Sequence, residues 1–282
     1  MQITKSEPFH FNFIITGHHA LPFAQMCIES IQSQLGSFQI SSYYVDDASE
    51  YSQADKNKLE KMLGSINGQL VVLAHRHYQI GALSKIIPTI DSPNSIICLI
   101  DGDDYLLSHA LQTIVKAYEN PDIAMTYGNT LVDFRPYQDV QANYFYDKKT
   151  VNTEYSLDVW KTRSFREDGF RCFHFRTFKR WLWDYIDPQH FLRPSGDFFR
   201  ASGDSAYIFP MLELLGDPKH VAFIEKPLYV YRLHEGNVHN HDKKSQSEDL
   251  EYIRFKLQKY SPLDRDLLQS LLYQCRPLCA GL

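Results

Sequence analysis

Short apolar runs alternate with stretches of helical periodicity through the first half of the chain. FNFIIT (11–16) is followed by LPFAQMCIESIQSQLG, where Pro22 suits a first helical turn and Gly36 a stop. ISSYYVDD (40–47) precedes the helical ADKNKLEKMLG, and QLVVLA (69–74) leads into GALSKIIPTI. SIICLI (95–100) leads into SHALQTIVKAYEN, and DIAMTYG (122–128) closes the series. Strands separated by amphipathic helices are βαβ units, whose crossovers produce a mostly parallel sheet flanked by helices on both faces. The fold class expected is α/β.

After residue 130 the pattern loosens. FRPYQDVQANYFYDKKTVNTEYS is polar and aromatic without clean periodicity, and reads as a loop or short-strand insertion. HFRTFKRWLWDYI (174–186) reads as a helix with an aromatic stripe, in which Trp181 and Trp183 either stack on a sugar ring or, as is commoner, pack into the core. GDSAYIFPMLELLG (203–216) reads as a helix with Asp204 near its start. VAFIEKPLYVYRLH reads as two short strands broken at Pro227, and the polar stretch 239–248 as a solvated loop or a lid. From residue 245, SEDLEYIRFKLQKY and PLDRDLLQSLLYQC carry two helical patterns, a helical C-terminal extension. No internal repeat is present.

A chain of 282 residues suffices for one large α/β domain or a domain with a small addition. The net charge is −5 and the basic residues form no run, which argues against a nucleic-acid partner. The five cysteines are odd in number and lack metal-ligand spacing, and Cys98 lies inside an apolar strand, so a reducing compartment is expected. The N-terminal MQITKSEPFHFNFIITG has acid and proline where a signal peptide needs a long apolar run. The apolar runs are too short to span a bilayer. These features lead us to expect a cytoplasmic protein with no transmembrane segment.

The chemistry concentrates at strand ends. Asp101, Asp103 and Asp104 crowd the junction after SIICLI, and Asp46 and Asp47 end another strand. In parallel sheets ligands bind beyond the carboxyl ends of strands, so the two groups should share one edge and one crevice. Taken alone, Asp-Gly-Asp-Asp suits a helix N-terminus (with Ser108 as the better cap), a tight turn, or a site for Mg²⁺ or Mn²⁺ with diphosphate oxygens completing the shell. The pair Asp46–Asp47 suits either an Asx-type turn or recognition of a base or ribose.

In this order and spacing, FIITGHH, VDDAS, LIDGDDYL, SGDSAYIFPMLELLG and KPLYVYRLHEGN resemble motifs of the inverting glycosyltransferases of family 2, over residues 9–235. GALSKI and HFRTF resemble a subgroup of that family with an Asp-Gly-Asp-Asp motif and a His-x-Arg-Thr-Phe segment. The resemblance implies a GT-A fold, Rossmann-like, with a glycosyltransferase domain over 1–240 and a tail over 241–282. Within the domain, 9–130 would form the nucleotide-sugar half and 131–240 the acceptor half. It also implies a nucleotide-sugar donor, UDP-linked by default, and a glycan, lipid-linked or protein acceptor, with peripheral membrane contact allowed through such an acceptor. The cofactor implied is Mn²⁺ or Mg²⁺.

Residue by residue, Asp103 would bind the metal, with Asp101 beside it touching ribose or a metal-bound water, and His234 as a further ligand. Thr16, Asp46, Asp47, Gly81 and Gly102 would belong to the nucleotide-sugar site. Lys85 would stand in for a positive charge that many members carry in an Ala-Arg-Asn run. His174 and Arg176 either line the acceptor cleft or form a buried polar cap, and His234 as a lone histidine also fits an ordinary surface or core position. Asp204, where members more often have Glu-Asp than Gly-Asp, would be the general base. Two other classes fit less well. A sugar-nucleotide nucleotidyltransferase should carry a Gly-rich, Arg/Lys-bearing loop after the first strand, and TGHHALPF does not. An inactive binding module would not be expected to keep Asp101, Asp103 and Asp204 together.

Overall fold

The computed structural model describes residues 9–133, 152–237 and 243–274. One eight-stranded sheet runs in the order β3-β2-β1-β4-β7-β6-β8-β5. Its strands are β1 His10–Gly17, β2 Gln39–Asp46, β3 Gly68–Val72, β4 Ile96–Asp101, β5 Tyr105–Leu106, β6 Met125–Asp133, β7 Arg176–Lys179 and β8 Val221–Arg232. Strands β1 to β4 pair in parallel, as do β6 and β8. β7 runs antiparallel between β4 and β6, and β5 antiparallel against β8.

Each face of the sheet carries its own apolar layer. α1 (Leu21–Gln32), α2 (Gln53–Leu63) and α4 (Ala110–Tyr118) meet Phe11, Phe13, Ile15, Cys98 and Ile100 in one layer. α3 (Tyr78–Ile86), α5 (Leu157–Thr162), α6 (Phe165–Asp168) and α7 (Gly203–Leu215) meet Ile14, Ile97 and Leu99 in the other. Because side chains alternate along a strand, Thr16 and Asp101 extend the second layer, towards α3 and α7. The alternation therefore decides which helices the strand-end carboxylates meet.

α7 is apolar nearly all round and buried along its length, as a central helix should be. The C-terminal helices α8 (Lys243–Phe255) and α9 (Arg265–Gln274) add Ile253, Leu268 and Leu272 to the α7 layer. A buried ion pair joins them to it. Arg166 binds Glu213 at 2.6 Å and donates to the carbonyls of Ile253 (2.8 Å) and Leu257 (2.9 Å).

Three expectations need correction. HFRTFK is not helical: Arg176 and Phe178 enter one layer while Phe175 enters the other and Thr177 meets Tyr118 and Thr126. Both faces of this short strand are covered, with Arg176, Thr177 and Lys179 buried beside Phe178, so it shows no apolar–polar alternation, and the helical turns that follow at Arg180–Tyr185 are 3-10. Trp181 and Trp183 are buried in the core, as expected. VAFIEKPLYVYR is one strand, not two. Gly128 pairs with Ile224 and Thr130 with Tyr229, so β8 bulges and Pro227, which lacks an N–H, sits where no ladder bond is needed. Finally, Ser108 caps nothing; α4 starts after His109 without a side-chain cap. Residues 243–248 of the polar stretch expected as a loop or lid form the first turns of α8, whereas 239–242 of that stretch, 134–151 of the expected insertion, Cys275 and Cys279 lie outside the described residues. Among the described residues no helix is long and apolar enough to cross a membrane.

Candidate active site

The chain turns sharply after β4. Gly102 N–H donates to the Thr16 carbonyl at 2.8 Å, and Asp104 N–H to the Asp101 carbonyl at 3.0 Å. A Cβ on Gly102 would lie 3.2 Å from the Tyr44 hydroxyl and 3.3 Å from the Thr16 oxygen, so the turn fits closely over β1. Asp104 is fully buried and accepts from the Tyr229 hydroxyl and the Arg232 N–H, both at 2.7 Å. Burial and the two neighbouring aspartates push its carboxyl well above the usual range. Of the three clustered aspartates, this one clamps β8 to the turn.

Asp101 faces the crevice. One carboxylate oxygen accepts from Gln79 (2.8 Å) and Thr16 (3.3 Å), and the other lies 3.5 Å from His174 Nε2. Burial, reinforced by the charge of Asp103 and opposed by Arg176, pushes its pKa up to about 6. Asp103 lies 2.8 Å from His234 Nε2, and the His234 ring packs on Phe23 with centroids 4.4 Å apart. Gly236 N–H reaches His234 Nδ1 at 3.2 Å. That bond orients the ring with Nε2 towards Asp103.

The β2 pair divides between the layers. Asp46 follows Tyr44 into the α1–α2 layer, fully buried, and takes the hydroxyl of Ser49. Asp47 turns the other way and accepts N–H groups of His77 (2.7 Å) and Tyr78 (2.8 Å), with Arg76 Nε at 3.1 Å. Its carbonyl accepts from His18 Nδ1 at 2.8 Å. Gly81 serves packing, since a Cβ there would stand 2.7 Å from the Phe198 ring. Lys85 is exposed in the last turn of α3 and makes none of the bonds of the Asp101 cluster; the cation beside Asp47 is Arg76.

On the other side, Arg176 comes up from β7 almost fully buried and binds Asp204 at 2.8 Å. Its second amino group lies 3.2 Å from the His174 ring. Burial and Arg176 hold His174 well below the usual histidine range, so the ring is neutral, stacked on Tyr229 with centroids 4.6 Å apart. Asp204 Oδ1 accepts the Ser205 N–H at 2.9 Å. The turn before it is held from α8, where Asp249 accepts N–H groups of Arg200 (2.9 Å) and Ala201 (3.0 Å) and pairs with Arg193 at 2.6 Å.

Asp101, His174, Arg176 and Asp204 are thus joined in one network, with Thr16 on Asp101, and the Asp103–His234 pair stands two residues further along the same turn. Sequence reasoning missed Arg76, Gln79, Tyr229 and Asp249. Gln79 was signalled by its position two residues before Gly81 at the start of α3, and Tyr229 by lying in the KPLYVYRLH motif. Asp249 carried no local signal. Among the described residues no three His, Cys, Asp or Glu groups converge as a metal cluster. Asp103 and His234 do converge, and two protein donors suit a hard cation that completes its shell with phosphate oxygens and water.

An α/β sheet of this topology, flanked by helices and with acidic loops at the ends of its parallel strands, is the GT-A glycosyltransferase fold. The family model described as Glycosyl transferase family 2 matches residues 13–185, more than half of the chain, and the chain belongs to that family. A structure of S. aureus TarS 1-349 in complex with UDP-GlcNAc is 12% identical with a TM-score of 0.63, over 95% of this chain and 71% of that one. The mannosyltransferase PcManGT from Pyrobaculum calidifontis, in complex with GDP-Man and Mn²⁺, is 15% identical with a TM-score of 0.58, over 95% and 72%. Another TarS structure is 12% identical with a TM-score of 0.61; it covers 95% of this chain, which spans only 43% of its length. No curated protein sequence matches the chain.

Proposed function

We propose that this protein is a metal-assisted, inverting glycosyltransferase that moves a sugar from a nucleotide donor, UDP-linked by default, to a hydroxyl of a glycan, lipid-linked or protein acceptor. The observation that carries this reading is the line of side chains from Asp101 through His174 and Arg176 to Asp204, with the Asp103–His234 pair beside it on the turn after β4. It joins a diphosphate-binding end to a candidate base. The neighbours bound to UDP-GlcNAc and to GDP-Man with Mn²⁺ support the donor class and the metal. On this reading 9–130 is the donor half, 131–240 the acceptor half and 241–282 a tail that braces it.

The roles follow from chemistry. Asp47 spends three of about four acceptor positions on the β3–α3 loop, which leaves one for a base N–H. Asp46 and Gly81 act behind that pocket, Thr16 and Gly102 shape its floor, and Lys85 has no direct part. Asp103 and His234 would hold the divalent cation, which when bound supplies positive charge for the departing diphosphate. Asp101 takes the ribose side. Asp204 accepts the proton of the acceptor hydroxyl as that oxygen attacks the anomeric carbon, and the bond from that carbon to the diphosphate oxygen breaks in the same displacement. His174 and Arg176 orient Asp204 and line the acceptor cleft. The test is a screen of sugar nucleotides with Mn²⁺ and a panel of acceptors, with the anomer of the product read by NMR. Inverted product supports the proposal, and retained configuration or turnover of no sugar nucleotide contradicts it.

A further inference from the structure

A cavity of about 620 Å³ lies apart from the Asp101–Asp204 network, lined by Tyr127, Tyr155, Trp160 and Phe223 with Asp168 and Arg171. Its size is within the range of roughly 300–1,000 Å³ typical of small-molecule sites. Tyr127 and Phe223 meet with ring centroids 5.2 Å apart, and the Arg171 guanidinium lies 5.6 Å from the centre of the Tyr155 ring. The tyrosine hydroxyls are already occupied, Tyr127 on the Thr153 carbonyl (3.1 Å) and Tyr155 on the Gly169 carbonyl (2.8 Å). They fix the rings as walls. Leu157, 65% exposed, gives the mouth an apolar lip, and Glu154 and Ser156 also line it.

The lining selects among ligand classes. Two carboxylates, Asp168 and Glu154, stand against one guanidinium, and Arg171 is already bound to Asp168 and, at 2.5 Å, to the Thr153 hydroxyl. A nucleotide or other polyanion would meet net negative charge. A purely apolar ligand would leave the carboxylates and guanidinium of the wall desolvated. Rings with one flat apolar face and a fringe of hydroxyls satisfy both parts, and saccharides have that form.

Its position ties it to the reaction. Thr126 of β6 pairs with Thr177 of β7. One step on, Tyr127 and Arg176 both project into the α7 layer, on strands about 4.8 Å apart. The segment that carries Arg171 in the cavity wall delivers His174 to Asp101 three residues later, a reach of at most about 11 Å. An acceptor hydroxyl at Asp204 would therefore have the rest of its chain within reach of this cavity.

We propose that the cavity is an oligosaccharide-binding subsite that holds the part of a glycan acceptor distant from the attacking hydroxyl. The assignment of an acceptor rests on the transferase reading above; saccharide binding itself does not. The test uses the full chain, fluorescently labelled, on an array of defined neutral and acidic oligosaccharides without donor, followed by titration of the tightest ligand. Phe223→Ala should weaken that ligand about tenfold or more. Leu157→Glu, at an exposed lip where folding is not at stake, should weaken it several-fold, and melting temperatures check that both variants are folded. Binding to no oligosaccharide, or binding unchanged in both variants, overturns the proposal. Cavity-dependent binding by a protein that transfers no sugar would leave the subsite standing and remove the transferase reading. Transfer without cavity-dependent binding would do the reverse.

Discussion

On the proposed donor side of the site the carboxylates are held by chain that is close in sequence and regular in structure. Asp47 takes two main-chain N–H groups of the β3–α3 loop, and Asp101 takes Gln79 and Thr16, all within residues 16–101. On the proposed acceptor side the partners are remote. Arg176 and Asp204 hold each other from different elements, and the turn before Asp204 hangs on Asp249 of a C-terminal helix. Parallel strand ends make the first site almost unaided, whereas the second exists only once α7 and α8 have docked. Substitutions far from the crevice should therefore damage the acceptor side selectively.

The largest effect is expected at the proposed base. Asp204→Asn should lower kcat by about 10²–10⁴-fold with donor KM little changed. The variant also leaves the buried Arg176 without its anionic partner, so urea denaturation should show a loss of stability below the about 3–5 kcal/mol of a fully buried broken pair, since Asp204 is itself part-exposed and Asn keeps an acceptor oxygen. Glu213→Ala leaves Arg166 buried without its partner and should cost about 3–5 kcal/mol in the same denaturation experiment. If the variant loses transfer before it loses UDP binding as temperature rises, the contrast between the two sides is sharpened.

Asp249→Ala comes next. It removes the acceptor of two N–H groups and one guanidinium, so kcat should fall by roughly tenfold, a hydrogen bond to a charged group contributing about 1.5–3 kcal/mol. UDP affinity measured by calorimetry should not move. Equal losses in kcat and UDP affinity would break the comparison. The smallest effect belongs to Arg76→Ala. This ion pair with Asp47 is about one-third exposed on the arginine side, and UDP affinity should change by less than about fivefold, since such pairs contribute about 0–1 kcal/mol.

The same contrast decided what could be read from the sequence. Strands β1 to β4 and their helices follow from periodicity, and so did the shared edge of Asp47 and Asp101. Strand alternation even separates Asp46 from Asp47, because Tyr44 and Asp46 point into one layer while Val45 and Asp47 point into the other. β7 was illegible because three of its four buried residues, Arg176, Thr177 and Lys179, are polar, so polarity does not report its burial, and the strand runs straight into 3-10 turns. In β8, proline argued for a break that a bulge made unnecessary. The amphipathic patterns of α8 and α9 were visible, but nothing local said that Asp249 would reach the chain at Arg200.

The central claim is that the ends of β1, β2 and β4 form a metal-assisted nucleotide-sugar site. Calorimetric titration of the full chain with UDP and with GDP, in Mn²⁺ and in EDTA, for the wild type and for Asp103→Ala, tests it most directly. The account predicts binding of one nucleotide in Mn²⁺, lost in EDTA and weakened at least about tenfold in the variant, since the cation loses an anionic ligand. Equal affinity in Mn²⁺ and EDTA, or binding indifferent to Asp103, would contradict it.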